Sequence, residues 1–362
     1  MSNPPKLRCG IIGAGDFGAI CHLPGLQSHP QAEVVALCRR SYDPARSLAD
    51  KFGVPDVHKD YLELCARNDL DAVTVATPTV VHAEQSIAAL RSGKHVFCEK
   101  PLAMNLLEAR EMVRVAEDSG KVHQVGFTFR YNFGVQELRR RVRAGDIGLP
   151  YYVRVQYDGW EGLRASFRSG WQDKLDTAGG GVLYNLGSHL FDIVRYLFGP
   201  IERVTGFLHN LPRQARHRQT GELVRVETDD LAAVWFRHEN GLRGEWFISR
   251  ITPPFARKGF LEVIGPEGAL KAGLSRGSVD RLRVSRPTSQ RWIDLPLPVQ
   301  ASDGQPHCLG TMMRSFVDAC MRGRLDSDID ASFQDGLAAQ QAMAAVIEAD
   351  RNLTWVKPSE AG

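Results

Sequence analysis

Between residues 7 and 127, short apolar runs alternate with longer amphipathic ones, and that rhythm admits few folds. Residues 7–12, 34–38, 72–76, 95–98 and 122–127 read as strands. After a turn at 13–18, helical patterns run to about residue 28 and then cover 44–52, 80–92 and 106–119. Strands separated by whole helices need crossover connections, which build a parallel sheet covered on both faces. Right-handed crossovers then leave the doubly wound α/β sheet as the expected architecture.

The chain has 362 residues, more than one hydrophobic core of roughly 250–300 residues accommodates, so two domains are expected. The boundary is placed at 127/128, with 1–127 forming a Rossmann domain and 128–362 a second, α+β domain. Past residue 149 the strand candidates are 151–157, 204–208, 231–236, 242–249, 259–264, 269–272 and 282–285. Most are joined by short turns. Asn240-Gly241 is a hairpin signal, since both central positions tolerate positive φ, and consecutive hairpins predict an antiparallel sheet. Helical patterns at 182–198, 310–321 and 331–349 interrupt or follow it, and the polar stretch 212–225 reads as a loop.

Several function classes drop out. The 45 basic and 42 acidic residues nearly balance, and Arg139-Arg140-Arg141 with Arg143 reads as a solvated helix face, so no nucleic-acid partner is expected. No apolar run approaches the ~18–20 residues a spanning helix needs, and no signal-peptide core follows Met1. Seven cysteines without a C-x-x-C pair give neither a disulfide framework nor a metal site, which predicts a reducing cytoplasm.

Gly13-Ala14-Gly15-Asp16-Phe17-Gly18 is G-x-G-x-x-G placed directly after a strand and at the head of a helix. That context makes it a dinucleotide site. The first glycine makes the tight turn, the second admits the pyrophosphate, and the third lets helix and strand approach. Backbone N–H groups there are suited to phosphates. At the end of the second strand an acidic residue would accept both ribose hydroxyls, but the chain reads Cys38-Arg39-Arg40-Ser41 with no carboxylate before Asp43. Cations and a hydroxyl suit a 2′-phosphate, which favours NADP over NAD; stacking of Arg40 on adenine is the competing role.

Two further segments narrow the reading: Cys98-Glu99-Lys100-Pro101, and the run Gly179-Gly180-Gly181-Val182-Leu183-Tyr184-Asn185-Leu186-Gly187-Ser188-His189-Leu190-Phe191-Asp192. With Ala76-Thr77-Pro78 and His82, they resemble the Gfo/Idh/MocA family of glucose–fructose oxidoreductases and inositol dehydrogenases, in layout over nearly the whole chain. The resemblance implies a Rossmann domain joined to an open-faced antiparallel sheet, with the substrate between them. It also implies homodimers or homotetramers formed through the sheet, and oxidation or reduction of a sugar, sugar derivative or cyclitol. It implies that Lys100 meets the nicotinamide ribose and substrate hydroxyl, that the following proline is often cis, and that Thr77-Pro78 borders the ribose. Glu99 is expected to orient the lysine.

On the helical run, Asn185, His189 and Asp192 fall at i, i+4 and i+7, one stripe beside an apolar face. His189 is the expected proton-transfer group, because an imidazole titrates near neutrality. The family usually has aspartate where this chain has Asn185. Asparagine can hold a hydroxyl or orient the imidazole, but it adds no charge, and Asp192 is equally placed for a structural role. Arg130, Tyr131, Trp160 and Trp171 are further substrate candidates, the two tryptophans reading equally well as core. The expected activity is hydride transfer between a nicotinamide and a carbinol or carbonyl carbon. Its rivals are a redox-neutral sugar-modifying enzyme with a retained dinucleotide, and a non-catalytic sensor.

Overall fold

The computed structural model describes residues 6–159, 161–164, 166–252, 258–274, 281–289, 291–297 and 307–361. They divide into two compact units, one running to Thr128 and regaining the chain in a later stretch that ends at Leu337, the other starting at Phe129 and resuming at Ala338. The expected boundary at 127/128 did not foresee that return.

The first unit carries β1 (Leu7–Ile12), β2 (Ala32–Cys38), β3 (Asp56–His58), β4 (Ala72–Val75), β5 (His95–Cys98) and β6 (His123–Val125). They form one parallel sheet in the order β3-β2-β1-β4-β5-β6. Helices α1 (Leu23–Gln27), α2 (Tyr42–Phe52), α3 (Tyr61–Cys65), α4 (His82–Arg91) and α5 (Leu106–Ser119) make the crossovers. The short pair β3 and α3 carries too little apolar periodicity to be read from sequence. α5 shows why its ends fall where they do. Asn105 accepts the Glu108 backbone N–H at 3.0 Å to start it, and Gly120 ends it at φ +62. The carboxyl ends of the central strands are in register: Cys38 pairs with Ile12, Ile12 with Val75, Val75 with Cys98 and Cys98 with Val125.

The second unit contains α6 (Phe133–Arg143), α7 (Leu175–Ala178) and α8 (Ser188–Phe198). Its strands are β7 (Tyr152–Asp158), β8 (Arg168–Ser169), β9 (Ile201–His209), β10 (Gln214–His217), β11 (Leu223–Arg225), β12 (Leu231–His238), β13 (Arg243–Ser249), β14 (Lys258–Gly265), β15 (Gly268–Gly273), β16 (Leu282–Ser285) and β17 (Ile293–Leu295). The large sheet has the order β17-β16-β15-β14-β7-β13-β12-β9. It is mixed rather than antiparallel, because β7 lies parallel to β13 and antiparallel to β14. The expected loop 212–225 is instead the hairpin β10–β11, completed by β8 in a small sheet. At the β12–β13 turn only Gly241 takes positive φ, at +87. Asn240 acts through its side chain, whose Oδ1 accepts the Leu242 N–H at 3.1 Å.

Two helices close the chain, α9 (His307–Arg322) and α10 (Phe333–Asn352). α9 belongs to the first unit, where Phe316 meets Phe97 edge-on at 5.6 Å. A Cβ on Gly25 would lie 2.6 Å from Met313, so glycine sets how closely α1 approaches α9. Among the described residues no helix is long and apolar enough to cross a membrane. On α6 the arginine run is a solvated face in part: Arg140 and Arg141 pair with Glu137, while Arg139 donates to the Tyr196 hydroxyl at 2.9 Å.

Candidate active site

The first unit brings three motifs to one edge. β1, β4 and β5 are adjacent and in register, so Gly13, Ala76 and Glu99 leave the sheet side by side. This carboxyl edge is where open α/β sheets bind ligands. The glycines divide by role. Gly13 sits at φ +87, and a Cβ there would lie 2.6 Å from the Ala76 carbonyl carbon. A Cβ on Gly18 would lie 2.5 Å from the Gly13 oxygen. Around Gly15 a Cβ would meet nothing within 4 Å. The fold itself therefore does not need glycine at position 15, whereas a pyrophosphate approaching the backbone would. Asp16 is exposed and Phe17 half-buried, the latter edge-on to His22 at 5.9 Å.

At the end of β2, Arg39 leans back to donate to the Ala14 carbonyl at 3.4 Å, tying it to the glycine turn. Arg40 is exposed. Ser41 is the N-cap residue of α2, but its hydroxyl makes no capping bond. The residues fit a dinucleotide: an open glycine cradle, and next to it a cationic strand end with an uncommitted hydroxyl.

Lys100 follows β5, and its peptide bond to Pro101 is cis. Its backbone N–H donates to Glu99 Oε2 at 3.2 Å. The other carboxylate oxygen, Oε1, stands 3.2 Å from Nε2 of His22, which is fully buried against Phe97. Glu99 is thus anchored from the glycine-turn side, and a Cβ on Gly126 would lie 2.8 Å from its Oε1. His22 was not picked out from sequence, where it reads as one more residue of an apolar segment. His82 departs from expectation. Both ring nitrogens face backbone carbonyls, Nδ1 that of Pro101 at 2.9 Å and Nε2 that of Thr77 at 2.8 Å. Only 1% of the residue is exposed, so no polar atom of the ring is left for a cofactor. Thr77 is itself held, its hydroxyl donating to Gln85 Oε1 at 2.7 Å, and Pro78 starts the turn leading into α4. Burial drives the Cys98 thiol up to about 12, so the thiol at this edge stays protonated and is no nucleophile.

In the second unit the glycine run ends in a π-helical turn, Leu183–Gly187, that continues into α8. Asp229 builds this start. Its carboxylate accepts the Gly181 and Leu183 N–H groups at 2.6 and 2.8 Å, and Gly181 must lack a side chain because a Cβ would run into the Asp229 carbonyl. Burial raises the Asp229 pKa, against the pull of those N–H groups. The π turn widens the helix between Asn185 and His189 and alters their angular relation. Asn185 is exposed, while His189 and Asp192 are buried. The three do not form a uniform polar stripe.

His189 packs against the Phe129 ring at 4.9 Å. Asp192 accepts from Arg130 through Nε at 2.9 Å and Nη2 at 2.6 Å. Both partners are buried, and the Arg130 guanidinium stands over the Tyr196 ring at 4.9 Å. Arg130 and Tyr131 were expected to meet substrate; the structure places both in the interior, with Arg130 held by Asp192. Trp171 remains a surface candidate at 39% exposure, and Trp160 lies outside the described residues. The loop bearing Trp171 is fixed by a network that sequence reading missed. Asp173 accepts from Gly170 N–H at 2.9 Å and from Arg250 at 2.8 Å, and Asp230 joins Arg250 to Arg213. Burial works against the Asp230 charge, but the two guanidiniums outweigh it and lower its pKa. Only the adjacent acids Asp229-Asp230 before a strand gave any sign of this in sequence. Among the described residues no acidic, histidine and cysteine cluster could hold a metal ion.

Residues 7–127 match the family model described as "Oxidoreductase family, NAD-binding Rossmann fold", and residues 135–271 match the one described as "GFO/IDH/MocA C-terminal domain". The chain is 27% identical to scyllo-inositol 2-dehydrogenase (NAD(+)) of Bacillus subtilis (strain 168), covering 92% of this chain and 93% of that protein. It is 32% identical to 1,5-anhydro-D-fructose reductase of Ensifer adhaerens, over 73% of this chain and 74% of that protein. A solved structure of levoglucosan dehydrogenase in complex with NADH superposes with a TM-score of 0.85 at 25% identity, over 97% of this chain and 99% of that one. With both domain models matched and an identity of 32% over 73% of its length, the chain belongs to the Gfo/Idh/MocA family of oxidoreductases.

Proposed function

We propose that this protein is a dehydrogenase or reductase that moves a hydride between a nicotinamide and a hydroxyl-bearing carbon of a sugar, sugar derivative or cyclitol. The observation that carries the reading is the carboxyl edge of the parallel sheet, where the open glycine turn, the Thr77-Pro78 turn and Lys100 leave adjacent strands. Relatives named for inositol, anhydrofructose and levoglucosan support the substrate class.

The bound nicotinamide supplies or accepts the hydride. The Lys100 ammonium stabilises negative charge growing on the reacting oxygen. His189 takes the hydroxyl proton during oxidation and returns it during reduction. Asn185 holds a neighbouring hydroxyl. Arg39, Arg40 and Ser41 support NADP as the preferred coenzyme, since residues 38–41 include no carboxylate and offer two cations and a hydroxyl to a 2′-phosphate. The exposed Phe207 and Trp235, at 46% and 41% on the paired strands β9 and β12, support a homodimer or homotetramer formed through the sheet. Seven buried cysteines, none of them in a disulfide, support a cytoplasmic setting.

Free sugars, sugar acids, inositols and glycosides, each assayed at 340 nm with NAD and with NADP, test the reading. Turnover of at least one class with one coenzyme is expected. Bound dinucleotide released on denaturation, with no net absorbance change for any substrate, would point instead to redox-neutral chemistry.

A further inference from the structure

His82 opens α4 and is buried, yet no hydrogen bond ties its ring to its own helix. Its two nitrogens reach the carbonyls of two separate segments, Thr77 after β4 and Pro101 after β5. Each segment bears one functional element of the proposed site: Thr77-Pro78 beside the nicotinamide ribose, and Lys100. The strands beneath them are in register, but strand pairing ends at Val75 and Cys98. Beyond those residues the ring reaches from the segment it shares with Thr77 across to the Lys100-Pro101 segment.

We infer that His82 is a positioning residue that couples the Thr77-Pro78 turn to the Lys100-Pro101 segment. It sets where the lysine and the ribose-binding turn stand relative to each other. The inference rests on the proposed roles of Lys100 and of the turn, and it adds the residue that joins them. The ring's chemistry makes the two bonds separable. A neutral imidazole has one N–H and can donate to only one carbonyl, whereas the imidazolium donates to both. Burial outweighs the pull of both carbonyls and lowers the ring's pKa, so the neutral ring donates to one carbonyl and faces the other.

Side-chain amides can replace the two nitrogens one at a time. Asparagine places its amide near the position of Nδ1, facing Pro101, and glutamine near that of Nε2, facing Thr77. The experiment compares His82→Asn, His82→Gln and His82→Ala in the full chain. Dinucleotide affinity is read from NADH and NADPH fluorescence, kcat and KM from steady-state turnover, and folding from thermal unfolding.

His82→Ala is expected to lower kcat on the order of 10²-fold, the scale of an ångström-level misplacement, and also to weaken dinucleotide binding. His82→Asn should restore most of kcat, and His82→Gln should restore most of the dinucleotide affinity. Equal impairment of all three variants, tracking lost stability alone, would overturn the inference, as would wild-type values in His82→Ala. Lys100→Ala separates the two levels. Wild-type turnover there removes the lysine's role, while selective rescue of dinucleotide affinity in His82→Gln would still uphold the link to Thr77.

Discussion

Arg130 and Asp192 form a buried two-point ion pair, Nε and Nη2 of the arginine lying 2.9 and 2.6 Å from the two carboxylate oxygens. Asp192 stands one helical turn beyond His189, so the pair anchors the helix that carries the proposed base. Removing one member takes a buried charge's ion-pair partner away, which costs about 3–5 kcal/mol. Asp192→Asn and Arg130→Ala are each expected to lower the urea midpoint accordingly. The double variant Arg130→Met, Asp192→Leu should recover much of the loss. A urea titration of the set checks both statements.

Lys100→Ala and His189→Ala should each lower kcat by roughly 10²-fold or more, since one stabilises charge and the other moves a proton. Lys100→Ala should unfold close to the wild-type temperature, whereas His189→Ala, which removes a buried ring packed on Phe129, should also lower it. Near-normal turnover in either removes that assignment.

Asn185→Asp introduces a carboxylate four residues before His189. A nearby negative charge favours the imidazolium, so the His189 pKa should rise and less neutral base be present at a given pH. The acid limb of kcat/KM for the oxidation is therefore expected to move to higher pH. A pH–rate profile that does not shift would show that the two side chains do not communicate.

The glycine turn makes a prediction that separates folding from binding. Gly15→Ala places its methyl in open space and should leave thermal unfolding unchanged while weakening NADH and NADPH binding. Gly13→Ala, strained at φ +87 and crowded by Ala76, should lower stability as well. At the neighbouring strand end, Arg39→Asp should weaken NADP far more than NAD, as read from the ratio of their KM values.

Asp230 gives an acid-stability signature. Its folded-state pKa lies below the ordinary value, about 3.9 in an unfolded chain. The unfolded state therefore binds the proton more readily. The stability that Asp230 contributes is present above about pH 4 and is lost as pH falls through the folded-state pKa. Asp230→Asn should flatten this part of the stability–pH curve, measured by urea unfolding between pH 2 and pH 7.

Much of the first unit was legible because local pattern and tertiary role coincide there. β1, β5 and α5 fall on the residues that periodicity indicates, since buried parallel strands are continuous apolar runs and α5 carries its own cap. The glycine turn was legible for the same reason, its spacing being dictated by backbone sterics. Partner choice was not. Nothing in residues 152–158 says that their neighbour will be β13 rather than a hairpin partner. Burial of a charge was equally hidden: Arg130 looks like a substrate ligand until Asp192, 62 residues away, is brought to it. β10 and β11 are too short and polar for alternation to register, and the carboxylate that accepts the N–H groups of Gly181 and Leu183 comes from Asp229, which is remote in the chain.

The parallel pairing of β7 with β13 bears on how this chain reaches its native state. Cross-strand partners there, such as Arg154 and Glu245, are 91 residues apart, and β14 on the other flank arrives later still. The hairpins β12–β13 and β14–β15 can zip up locally, but the strand that unites them into one sheet is translated long before either. Ordering it means closing a very long loop, which makes docking of β7 the natural slow step in refolding. Until that step is complete, β7, with Val153, Val155 and Tyr157 on one face, leaves two bare strand edges open to association with other chains.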